Sequence, residues 1–74
     1  MIFGINVARE RKKNKLSALE LARLTRVSRS YITLIENGKR LPGKKVIPSL
    51  ALALKIKTNI LINWYLEDMR EKLS

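Results

Sequence analysis

The sequence contains no cysteine and no histidine. Without thiols there is no disulfide framework and no thiolate metal site. Without imidazole, the commonest metal ligand and the commonest general base are both missing. Asp and Glu together number six, which leaves little for acid–base catalysis. The composition argues against an enzyme and implies no cofactor and no metal. Long apolar runs are absent too. The longest apolar-rich stretch, Val46 to Leu54, is broken by Pro48 and Ser49 and followed by Lys55. That excludes a membrane-spanning helix. The opening residues, Met1 to Asn6, lack the basic region and apolar run of a secretory leader. Strand signals are weak. No segment alternates cleanly, and Asn37-Gly38 follows helical periodicity instead of joining two alternating runs. There is no internal repeat and no low-complexity tract. A soluble, cytoplasmic, all-α protein with no membrane partner is the expectation.

What the sequence does have is positive charge. Its 74 residues allow one small domain with a marginal core. A hydrophobic content of 46% suits a globular chain rather than a disordered one. Sixteen Lys and Arg give a formal net charge of +10. That suits a polyanionic partner, nucleic acid first and an anionic membrane surface second. The charge is uneven: residues 1–57 hold 14 basic and 3 acidic side chains, residues 58–74 hold 2 and 3. The polyanion-facing surface is therefore expected within 1–57, and a different task within 58–74.

Helical signals recur along the chain. The first helix is expected from about Ile2 to Lys13, with Phe3 and Val7 on one face. Arg9, Arg11, Lys12 and Lys13 load its C-terminal end, where the helix dipole favours cations. Ser17-Ala18-Leu19-Glu20 is a capping box that opens a second, short helix ending near Thr25. Ser28 is the expected N-cap of a third, in which Ile32 and Ile35 face one way and Arg29, Ser30 and Thr33 another. Asn37-Gly38 stops it, since both residues tolerate positive φ. Leu41-Pro42-Gly43 makes a turn. A fourth helix covers about Lys45 to Leu54, with Pro48 in its first turn, where a missing N–H costs nothing. A fifth starts near Thr58 or Asn59 and runs to about Lys72. Leu19 and Leu24 are expected to complete the core, the second reading being an exposed surface that serves a partner.

The chemistry concentrates in residues 17–37. Two short helices joined by a turn of about three residues carry Leu21, Ala22, Thr25, Val27, Ile32 and Ile35 at the inward positions of a helix-turn-helix. Ala22 is small where two helices crossing near a right angle leave little room. The outer face of the second helix then fits a DNA major groove about 12 Å wide. At these residues the sequence resembles the Cro and phage-repressor helix-turn-helix family, also called the XRE family. The resemblance is carried by Leu16-Ser17 through Leu21-Ala22, by Val27 to Ile32, and by Ile35-Glu36-Asn37-Gly38-Lys39-Arg40. It covers roughly residues 2–62 and implies a compact five-helix bundle of the lambda-repressor-like type.

The resemblance also implies roles. Arg29, Ser30, Thr33 and Leu34 match the base-contacting face, with Arg29 placed to fork onto guanine O6 and N7. Ser17, Ser28, Asn37, Lys39, Arg40, Lys44 and Lys45 match contacts to the DNA backbone. Tyr31 is open to two readings, a phosphate contact through its hydroxyl or partial packing. Arg11 and Glu36 match a structural ion pair. Three departures stand out besides Ala18, where relatives often carry a phosphate-contacting Gln. Arg26 occupies a turn position held by Gly in most relatives, and Lys15 and Lys55 occupy slots where Gly is common. If these positions have positive φ, each side chain costs on the order of 1 kcal/mol. All three add charge, so attraction to phosphate is the compensation to look for.

Residues 58–74 carry Ile60, Leu61, Ile62, Trp64, Tyr65, Leu66, Met69 and Leu73. One helix face can place about half of these on a core, and the rest would form an apolar patch. Trp64, Tyr65 and Met69 are the expected homodimer contacts. The domain then divides into a DNA-binding core, residues 1–57, and a C-terminal helix, residues 58–74, that packs on it and pairs two copies. The leading function is a sequence-specific regulator of double-stranded DNA, a repressor on a palindromic operator in a prokaryotic or phage setting, at the nucleoid. The alternatives are the DNA-binding front end of a longer regulatory or antitoxin protein, and a basic protein that binds nucleic acid or membrane without specificity.

Overall fold

A computed structural model describes residues 2–73, with side chains through residue 71. Five helices follow one another: α1 (Ile2–Lys13), α2 (Ala18–Thr25), α3 (Arg29–Glu36), α4 (Val46–Leu54) and α5 (Thr58–Leu73). Each lies where helical periodicity and capping chemistry put it, and α4 begins one residue later than expected. No strand occurs among the described residues, and no helix of theirs is long and apolar enough to cross a membrane. The architecture is the all-α five-helix bundle expected from the sequence.

The starts of α2 and α3 are built by serines. The Ser17 hydroxyl accepts from the Glu20 backbone N–H at 3.0 Å, and the Glu20 carboxylate accepts from the Ser17 N–H at 2.8 Å. The Ser28 hydroxyl accepts from the Tyr31 N–H at 3.0 Å. The ends follow one pattern. α1, α2, α3 and α4 each close with a left-handed residue: Lys15, Arg26, Gly38 and Lys55. The N–H after each reaches back five residues, as in Leu16 to Arg11 O, Val27 to Ala22 O, Lys39 to Leu34 O and Ile56 to Ala51 O. This is the Schellman closure, which satisfies carbonyls the helix leaves open.

The core gathers Phe3, Val7, Leu21, Ala22, Ile32, Ile35, Leu50, Ala51, Leu54 and Leu61. Each large aliphatic fully removed from water stabilises the fold by about 1.5–3 kcal/mol. The expectation for Leu19 and Leu24 is corrected: they are 44% and 58% exposed. On a helix advancing 100° per residue, Ala18, Leu21, Ala22 and Thr25 define one inward face, and Leu19 and Leu24 each lie about 110° from its middle. α2 is too narrow a contact to bury both flanks.

Two contacts lock the α1–α5 end of the bundle. Asp68 is 6% exposed, and its two carboxylate oxygens accept the backbone N–H groups of Ile2 and Phe3 at 2.6 and 2.9 Å. α5 thereby supplies an N-terminal cap to α1 from across the chain. Tyr65 meets Phe3 edge to face, ring centroids 6.0 Å apart. α1 also passes against the end of α3 at Gly4, where any Cβ would lie 2.3 Å from the Ile35 carbonyl oxygen. A glycine inside a helix ordinarily weakens it. Here only a hydrogen allows the two backbones to approach.

Candidate nucleic-acid interface

α3 buries Ile32 and Ile35 and leaves Arg29, Ser30, Thr33 and Leu34 exposed. At 100° per residue those four span one outward arc of about 140°. The expected base-contacting residues therefore share one face. The Arg29 guanidinium has no carboxylate partner among the described residues. The Thr33 hydroxyl donates to the Arg29 carbonyl at 3.1 Å, so Thr33 offers its methyl and lone pairs outward rather than its proton. Leu34 is 38% exposed, an apolar surface of the kind that meets a thymine methyl.

The expected backbone contacts fall into two groups. Ser17 and Ser28 are exposed N-caps. Each hydroxyl accepts a backbone N–H; that of Ser28 keeps its own proton to give, while that of Ser17 supports the Glu20 carboxylate. At α2 the Ser17 N–H is taken by Glu20, which leaves the N–H groups of Ala18 and Leu19 unpaired within the helix. The Glu20 carboxylate is held below its usual range, chiefly by the Ser17 backbone N–H and then by its hydroxyl, so it stays charged near that end. Asn37, Lys39, Arg40, Lys44 and Lys45 lie in and around the loop after α3, all exposed.

That loop is anchored by a residue with two possible roles in the sequence. Tyr31, half-buried, accepts the Gly43 N–H on its hydroxyl at 3.3 Å and carries the Arg40 guanidinium 5.1 Å above its ring. Pro42 between them is fully buried. Tyr31 therefore packs and holds the basic loop against α3. Its contacts in the fold are with Arg40 and Gly43, which periodicity alone does not reveal.

The orientation of α3 is set from behind. Arg11 Nε and Nη2 donate to the two Glu36 carboxylate oxygens at 2.7 and 3.1 Å, and Nη1 donates to the Leu16 carbonyl at 2.9 Å. One guanidinium thus ties the end of α1 to the end of α3 and to the entry of α2. Its hydrogen bond to Glu36 raises the Arg11 pKa against the opposing effect of burial. No cluster of three His, Cys, Asp or Glu among the described residues is placed to hold a metal.

At the other end, Trp64 and Tyr65 are half-buried and pack on the chain's own core, while Met69 is exposed. Ile62, Leu66 and Met69, spaced four and three residues apart, form an open apolar stripe along α5. Beside it, Ile47, Pro48, Thr58, Ile62, Tyr65 and Leu66 line a shallow groove between α4 and α5, with Lys44 at its edge.

Residues 7–61 match the model of a protein family described as helix-turn-helix. The ImmF control region 10 kDa protein of Bacillus phage phi105 is 33% identical over 59 residues, 80% of this chain and 66% of that protein. This chain thus spans just under two thirds of that relative's length. Among solved structures, the restriction–modification controller protein C.AhdI from Aeromonas hydrophila is 36% identical with a TM-score of 0.75, over 80% of this chain and 89% of that one. The P22 c2 repressor, solved in complex with a synthetic operator, shares the fold at 24% identity and a TM-score of 0.78, over 82% and 92%. With its capped α2 and α3, its outward α3 face and its match over residues 7–61, the chain belongs to the XRE-type helix-turn-helix family of DNA-binding regulators.

Proposed function

We propose that the protein is a sequence-specific repressor of transcription that binds a palindromic operator in duplex DNA as a homodimer, in the cytoplasm at the nucleoid. The observation that carries this reading is the outward face of α3, with unpaired Arg29 at its capped N-terminus and a cationic loop held beside it by Tyr31. Arg29 reads guanine, and Ser30, Thr33 and Leu34 test the neighbouring bases. Ser17, Ser28, Asn37, Lys39, Arg40, Lys44 and Lys45 set the register on phosphates. Residues 1–57 do the reading, and residues 58–74 brace the core and pair two copies. Met69 and the outer edge of Tyr65 join Ile62 and Leu66 in that pairing, while Trp64 serves mainly its own core. The relatives support the reading: one is a repressor on an operator and another a restriction–modification controller.

Selection of bound sites from random duplexes tests it. The expected product is two inverted half-sites about one helical turn apart. A single asymmetric site would overturn the dimer, and no enrichment would overturn sequence-specific binding. On the selected duplex, Arg29→Ala should cost about 1–3 kcal/mol and much less on random DNA. Lys39→Ala should weaken both alike. Equal loss on both duplexes for Arg29→Ala would make Arg29 a phosphate contact.

A further inference from the structure

Among the described residues, three other than glycine hold a left-handed backbone: Lys15 at φ 58°, Arg26 at φ 59° and Lys55 at φ 58°. All three are cations, although an L side chain is disfavoured there and glycine is free of that cost. The chain does use glycine at its fourth such site, Gly38. Two of the three are neighbours. The Asn14 side chain donates to the Leu54 carbonyl at 3.0 Å, so the residues immediately before Lys15 and Lys55 are bonded to each other. Both lysines are exposed, and neither has a carboxylate partner among the described residues. Lys12, Lys13 and Lys57, also exposed, stand within three residues of one or the other. Lys15 lies two residues before Ser17, the cap of α2.

The helix dipole offers Lys55 a reason, since α4 has no basic residue in its last turn, but it offers Lys15 none. A dipole rewards a cation anywhere in the last turn, and α1 already has Arg11, Lys12 and Lys13 there. It does not call for a charge on the one residue that must turn left-handed. A left-handed cap does one thing more. It turns the chain sharply, and at both corners the side chain is exposed. The Asn14 bond to the Leu54 carbonyl joins the two corners, each carrying one exposed cation.

We propose that Lys15 and Lys55 form a paired phosphate clamp that grips the DNA backbone beyond the segment read by α3. In it, backbone ease at two helix ends has been exchanged for charge. The inference rests on the duplex-binding reading above. The clamp is indifferent to base sequence, so it adds affinity and salt dependence without changing preference.

The test compares the parent with Lys15→Gly/Lys55→Gly and Lys15→Arg/Lys55→Arg, on the selected duplex and on random duplex over a salt series. The glycine pair should melt no lower than the parent. It should bind both duplexes about tenfold or more weakly near 0.1 M salt, with the slope of log K against log salt shallower by about 1.8, two phosphates at 0.9 each. The ratio of the two affinities should not move, and the arginine pair should bind like the parent. A glycine pair that binds with the parent's affinity and slope overturns the clamp and leaves the duplex-binding reading intact. A glycine pair that loses preference as well overturns the clamp's indifference to sequence. A parent that fails to bind either duplex overturns both readings together.

Discussion

The helix-turn-helix and the α1–α5 end of the bundle are held together by opposite means. In α2 and α3 the decisive bonds join near neighbours. Ser17 and Glu20 cap each other three residues apart, Ser28 takes the N–H of Tyr31, and the turn closes on Arg26 and Val27. At the other end the bonds cross the chain. Asp68 holds the N–H groups of Ile2 and Phe3 from 66 and 65 residues away, Tyr65 rests on Phe3, and Gly4 admits the Ile35 carbonyl. The helix-turn-helix is preset by local sequence, with little loop closure to overcome. The part that braces it exists only once the whole chain has folded. Arg11 and Glu36, 25 residues apart, connect the two.

Cutting that connection should have the largest effect. Glu36→Ala strands the Arg11 guanidinium, whose side chain is 15% exposed, with only the Leu16 carbonyl. Loss of one partner from a pair this well covered should cost about 3 kcal/mol, a large share of a small domain's stability. Urea unfolding measures it, and an unchanged midpoint would show that the two regions do not depend on this link.

Next comes the long-range cap. Burial is the largest single influence on Asp68 and pushes its pKa upward, but the chain's amino terminus and the N–H groups of Phe3 and Ile2 together outweigh it and leave the carboxyl below its ordinary 3.8. A carboxyl lowered in the folded state contributes stability that is fully present above its ordinary value and is lost as pH falls through the folded value. Asp68→Asn keeps one acceptor but loses the charge, and should cost about 2 kcal/mol at neutral pH. The gap between parent and variant should then narrow as the medium is acidified below about pH 4. A constant gap down to about pH 2 would mean that the charge of Asp68 is not what holds α1.

The local region should be the most forgiving. Ser17→Ala removes one arm of the capping box, at about 1 kcal/mol. Amide hydrogen exchange should show the loss confined to the first turn of α2, with Ile2 and Phe3 protected as before. Fraying that spreads to α1 would erase the contrast between the two regions.

The same contrast explains what was legible beforehand. Caps, stops and the Ile35-Glu36-Asn37-Gly38 run are short-range features, so the helix bounds and the outward face of α3 follow from residue order. The left-handed sites at Lys15, Arg26 and Lys55 follow from the family resemblance instead, since they stand where glycine is common in the family. Leu19 and Leu24 are apolar and lie in a helix, which suggests a core place. Their exposure depends on which neighbours α2 meets. Asp68 left a faint trace. It falls seven residues after Leu61, on the buried stripe of α5, where an acid has no place unless something donates to it.

Residue order is enough to set the five helices, their caps and stops, the excess of positive charge in the first 57 residues, and the face that α3 turns outward. These depend on dihedral preferences and hydrogen bonds within a few residues, and on charge that needs no fold to exist. It took the folded chain to set α5 as the cap of α1 through Asp68, to require that Gly4 lack a side chain, to place Tyr31 against the basic loop, and to join the turns at Asn14 and Leu54. Each of these joins groups that residue order leaves far apart or leaves unoriented. The free energy that joins them is released only when the core between them closes.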